Sequence, residues 1–111
     1  MNKIRVHIED IGGKIAKQDE RYVVKDNTAL KNLVVSSTAL NPGKHTSGHR
    51  HAGQEEVYYF ITGSGRMQLD DDMFDFTAGD VILIADDVFH KVYAGDDGAY
   101  FVCVFDGSRN H

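Results

Sequence analysis

At 111 residues the chain is long enough for one domain with a single modest core and too short for two. A formal charge of -5, with no cluster of Lys and Arg, argues against a nucleic-acid partner, because affinity for phosphate backbones is carried by grouped cations. No uncharged run approaches the roughly 20 apolar residues of a membrane span; the charged opening MNKIRVHIED does not read as a signal peptide, and Cys103 is the single cysteine, so a cytoplasmic protein without an intramolecular disulfide is expected.

Taken in chain order, short runs rich in Val, Ile, Tyr and Phe alternate with Gly, Asp and Asn, the pattern of an all-β sandwich or barrel. The first candidate strand is Ile4 to Ile8. The stretch EDIGGKIAKQDE that follows is the nearest approach to a helix, but Gly12 and Gly13 weaken it by roughly 1 kcal/mol each, so no helix is assigned. Further strands are expected over Arg21 to Val24, Asn32 to Leu40, His49 to His51, Glu56 to Thr62 and Gly65 to Leu69. The last four are Met73 to Phe76, Val81 to Ile84, His90 to Tyr93 and Tyr100 to Phe105. Their connections are short: GSG, DDD, TAGD, ADD and AGDDGA.

Within MFDFTAGDVILI, Phe74 and Phe76 alternate with polar residues, giving one buried and one wet face. VILI is apolar on both faces, as expected of a strand covered on both sides. With the final run YFVCVF, in which Cys103 reads as a packed thiol, it points to a homodimer. The paired and tripled aspartates, at Asp70 to Asp72, Asp86 and Asp87, and Asp96 and Asp97, read as solvated turns. They lack the alternating oxygen ligands of a calcium loop. No repeat, linker or low-complexity segment divides the chain, so residues 1–111 are taken as one domain.

The chemistry gathers in GKHTSGHRHAGQEEVYYFITG, Gly43 to Gly63. Neutral imidazole is the commonest metal ligand, and His49 and His51 share parity on an extended strand, so both can reach one ion. His45 has the same parity but lies beyond Gly48, which leaves its direction open; it is a candidate to line the pocket. Glu55 and Glu56 point to opposite faces if both lie in the strand, so one is a candidate ligand, and strand geometry does not choose between them. His90 opens a later strand after ADDVF. His7 and His111 read as surface residues. Three imidazoles and a carboxylate suit one divalent Fe, Mn, Co, Ni, Cu or Zn ion better than calcium or magnesium.

These residues resemble the cupin superfamily of small β-barrel proteins. The family's first motif, G-x5-H-x-H-x3-4-E-x6-G, is met by Gly43, His49, His51, Glu56 and Gly63; Glu56 leaves the required six residues before Gly63, and Glu55 leaves seven. The second, G-x5-P-x-G-x2-H-x3-N, is met by Gly79 and His90, with Ala85, Asp87 and Ala94 replacing its proline, second glycine and asparagine. The resemblance implies a single-domain cupin barrel, a double-stranded β-helix or jelly roll with little or no helix. It also implies His49, His51, Glu56 and His90 as metal ligands. Loss of the proline frees a φ angle before the turn, and Asp87 can take a left-handed conformation at some cost.

Such a site implies a small-molecule substrate. Lewis-acid chemistry on a sugar or sugar acid gives an isomerase, epimerase or lyase; Fe(II) with dioxygen gives a dioxygenase, and a non-catalytic ligand-binding protein is the third reading. Glu56, Tyr58 and Phe60 share a strand face. Glu56 is therefore a candidate at the reacting centre as well as a ligand, and Phe60 a candidate pocket wall. Tyr58 is the leading acid/base candidate, with a packed aromatic role equally open. Arg66 and Gln68, on one face of the next strand, are candidates to hold a carboxylate or hydroxyl, with exposure to solvent as the alternative.

Overall fold

Alternation of apolar and polar residues sets most of the strands, and glycines mark where two of them bend. The computed structural model describes residues 5–107 and is all-β, with no helix among them. The strands are β1 (Lys14–Gln18), β2 (Tyr22–Asn27), β3 (Leu33–Leu40), β4 (Glu56–Leu69), β5 (Asp72–Thr77), β6 (Val81–Ile84) and β7 (His90–Asp106). All pairings are antiparallel, in the order β1-β2-β3-β7-β4-β5, with β6 alongside the first part of β4. One face encloses the core, where Phe60 stacks on Phe76 at 3.8 Å between ring centres and lies 5.2 Å from Phe101. Each such buried aromatic contributes about 1.5–3 kcal/mol. No helix here is long and apolar enough to cross a membrane.

Two strands are longer than expected. GSG lies inside β4, and AGDDGA lies inside β7, so the exposed Asp96 and Asp97 sit in a strand and not in a turn. The two strands stay paired from Glu56 opposite Phe105 to Leu69 opposite His90. Gly63 pairs with Ala99 and Gly65 with Ala94, so Ser64 alone faces the four residues from Gly95 to Gly98. Gly63 has φ +85°, and a Cβ there would collide with the Gly98 carbonyl; only glycine allows this crossing. A bulge between Phe60 and Thr62 and this one together change which residues face inward. Glu56, Tyr58 and Phe60 are buried in the first half of β4, and Met67 takes the buried position in the second.

Other expectations need correction. EDIGGKIAKQDE contains β1, whose mostly exposed residues and internal bulge hide the alternation. Over 5–8 there is no strand, only a tight turn with His7 bridged to Asp10, and Ile4 and His111 lie outside the described residues. His49 to His51 is not a strand either. Of the three aspartates expected in a turn at Asp70 to Asp72, Asp70 and Asp71 form it and Asp72 opens β5, while Asp86 and Asp87 are a turn as expected. In β6, Ile84 is buried, but Val81 and Leu83 are 46% and 73% exposed, so one face is open within a single chain.

Candidate metal centre

The chain before β4 lies along β7 without forming a regular strand. Thr46 N–H donates to the Val92 carbonyl at 2.9 Å, and His49 and His90 exchange two backbone hydrogen bonds of 3.1 and 2.9 Å. Gly48, at φ +83°, makes this approach possible, since a Cβ there would stand 2.5 Å from the Phe89 ring. The His51 carbonyl accepts from Asp87 N–H at 3.0 Å, tying it to the turn before β7. Asp87 has φ +62°, the left-handed conformation expected where the motif carries glycine. Glu56 and His90 are the first residues of β4 and β7.

These three segments bring one donor atom each from His49, His51, Glu56 and His90 within 4.8 Å of one another. Glu56 Oε1 stands 3.2 Å from His51 Nε2 and 3.3 Å from His90 Nε2. His51, Glu56 and His90 are buried, and His49 is half-buried. His90 Nδ1 lies 3.0 Å from the Val88 carbonyl, which only accepts, so Nδ1 carries a proton, and in the neutral ring Nε2 turns a lone pair toward Glu56. A carboxylate oxygen has no proton to offer in return. Accordingly Glu56 Oε1 and His90 Nε2, though close, are both buried without a hydrogen-bond partner. Leaving such atoms unsatisfied costs about 1–3 kcal/mol each. A cation between them removes that cost. With metal–ligand distances of about 2.1 Å, neighbouring ligand atoms stand about 3.0 Å apart at right angles and about 3.4 Å apart at the tetrahedral angle. The observed 3.2 and 3.3 Å fall between these values. The residues fit a divalent transition metal.

A cavity of ≈ 50 Å³ adjoins this tetrad, walled by His49, Glu56, Tyr58, Cys103 and the inward hydroxyl residues Ser36 and Thr38, among others. Tyr58 is buried inside the barrel, its ring 5.8 Å from that of His90 and stacked on Phe101 at 5.1 Å. Cys103 is buried on the wall, in keeping with a packed thiol. Four sequence candidates lie elsewhere. Phe60 packs in the core and does not line the cavity. Arg66 is exposed beside Asp75, at 3.8 Å, because the β4 bulges exchange inward and outward positions before it. Gln68 is carried off by the same exchange; its amide donates to the Asp70 carbonyl at 2.9 Å, and it borders a surface groove with Arg50 and Phe89. His45 is exposed against Tyr93, with ring centres 5.7 Å apart.

Sequence reasoning passed over Ser36, Thr38 and Lys17 on the cavity wall. The first two carry a readable signal, since LVVSSTAL alternates so that Val34, Ser36 and Thr38 share the buried face of a central strand.

Residues 37–105 match the family described as Cupin domain. The chain is 29% identical over 82 residues to the uncharacterized protein MJ1618 of Methanocaldococcus jannaschii, covering 64% of this chain and 66% of that one. Its fold matches KdgF from Halomonas sp. with a TM-score of 0.76 at 14% identity, over 86% of this chain and 89% of that one. It matches a variant of Bacillus subtilis oxalate decarboxylase OxdC with a TM-score of 0.80 at 25% identity, over 90% of this chain but only 29% of the other. That decarboxylase has Mn(II) centres. The chain thus spans under a third of the decarboxylase and just under two thirds of the archaeal relative.

Proposed function

The chain belongs to the cupin family, a jelly-roll β-barrel with a cluster of three histidines and one glutamate for a divalent metal, and on that premise we propose that it is a metal-dependent enzyme of isomerase, epimerase or lyase type acting on a small polyoxygenated metabolite. The observation that carries the reading is the pair of buried, unpartnered atoms, Glu56 Oε1 and His90 Nε2, beside a hydroxyl-lined cavity. When bound, a divalent metal supplies Lewis acidity to a carbonyl or hydroxyl oxygen of the ligand. His49, His51, Glu56 and His90 hold it. The aromatic wall of Tyr58 and Phe101 excludes water from one side of the reacting carbon. The Tyr58 phenol, on the same wall, moves the proton as general acid or base.

The relation to a decarboxylase with Mn(II) centres supports the lyase branch of this reading. Metal-loaded protein assayed against aldoses, ketoses, uronates and short hydroxy acids tests it. Turnover that falls roughly 10²–10⁴-fold in Tyr58→Phe, with metal stoichiometry unchanged, is the expected result. Oxygen uptake on substrate with Fe(II) would instead favour a dioxygenase. Tight binding without turnover across the panel would leave a binding protein.

We also read the outward apolar strip as the face of a homodimer. Val81 and Tyr59 are ladder neighbours, as are Leu83 and Val57, and the strip carries no charge. An identical strip on a second copy is its natural complement in a two-fold pair.

A further inference from the structure

The residue that faces the cavity from β1 is a lysine, and the strand is distorted to put it there. In an unbroken ladder continuing from Ile15 opposite Lys25, Ala16 would lie opposite Val24 and Lys17 opposite Val23. A bulge between Ile15 and Lys17 instead sets Lys17 opposite Val24, which is buried and lines the cavity. Bulges of this kind re-aim side chains beside active sites. The bulge thus gives Lys17 the inward place that Ala16 would otherwise hold, and Lys17 is the one residue of β1 that is partly covered, while Ile15, opposite Lys25, is 55% exposed. Nothing in hydrophobic burial favours that exchange. Among the described residues of the cavity wall, Lys17 is the one ammonium, and hydroxyl residues such as Ser36, Thr38, Thr46 and Ser47 face the same space.

We propose that Lys17 is a specificity-determining residue that selects a carboxylate on the ligand, so that the site takes short hydroxy or oxo acids in preference to neutral polyols. The inference rests on the metal-centre reading above, since the ligand's other oxygens are taken to face the tetrad. Size agrees. At roughly 10–15 Å³ for each water position, the ≈ 50 Å³ cavity has room for about three to five such positions, which suits an acid of a few carbons better than a hexose. An ammonium on a flexible stem at the edge of a partly covered cavity supplies a point charge that attracts an anion without fixing its orientation.

The test uses the Co(II)-loaded full chain, whose visible spectrum reports entry of a ligand, titrated with glycolate and with its neutral amide, glycolamide. Lys17→Met, which keeps the stem and removes the charge, is expected to weaken glycolate tenfold or more and to change glycolamide less than twofold, with one Co(II) still bound. Lys17→Arg is expected to keep glycolate within about threefold of the original. Equal weakening of both ligands in Lys17→Met, or no glycolate binding to the Co(II) form of the unaltered chain, overturns the role of Lys17 and leaves the metal centre standing. Failure of the unaltered chain to bind one Co(II) overturns both.

Discussion

Replacing Glu56 with glutamine separates metal binding from folding by sign. In the unaltered chain, Glu56 Oε1 faces two imidazole nitrogens at 3.2 and 3.3 Å, and it and His90 Nε2 have no hydrogen-bond partner. Glu56→Gln keeps the shape, removes a buried negative charge and offers an amide N–H to the His90 lone pair. The metal-free protein should therefore gain about 1–2 kcal/mol, the lower part of the cost of leaving such buried atoms unsatisfied. For a domain near this size that is a rise in Tm of roughly 4–16 °C. The unaltered chain should instead gain from metal: at one hundred times Kd the linkage is about 2.7 kcal/mol, or roughly 10–20 °C. In Glu56→Gln that metal-dependent rise should largely vanish. Thermal unfolding followed by circular dichroism, on chelator-treated protein and again with Mn(II), Fe(II) or Zn(II), reads both effects. A Glu56→Gln variant that melts lower without metal, or responds to metal as the unaltered chain does, would refute the reasoning.

Gly63→Ala places a Cβ against the Gly98 carbonyl at φ +85°, where backbone and not a flexible side chain would have to move. A loss above about 2 kcal/mol is expected in denaturant unfolding, whereas Gly79→Ala, with open space around its Cβ, should cost less. Burial raises the Tyr100 phenol above its ordinary pKa of 10.0, and its hydroxyl donates to the Ile8 carbonyl at 2.7 Å. The folded state therefore holds this proton more tightly than the unfolded one, so the contribution is complete below pH 10 and is lost as pH rises toward the raised value. Stability measured between about pH 9 and 11 should fall less steeply in Tyr100→Phe. Light scattering should give a dimer mass for the unaltered chain at micromolar concentration and a monomer mass for Leu83→Asp, since Leu83 is 73% exposed on the proposed face; a monomer in both would remove the dimer reading.

The sequence alone determined that the chain is all-β, because strand patterning is local, and its resemblance to the cupin motifs pointed to His49, His51, Glu56 and His90, whose donor atoms do gather. It did not determine which residues share a face across a bulge. Period-two alternation holds only while a ladder runs unbroken, and whether a strand takes an extra residue depends on the partner it pairs with, far away in the chain. For that reason strand parity leaves Arg66 and Gln68 open between pocket and solvent, and the structure turns both away from the cavity, while nothing in the local pattern places Lys17 on the cavity wall. The pairing of β4 with β7 and of β1 with β2 decided those directions, and with them the chemistry the cavity presents to a ligand.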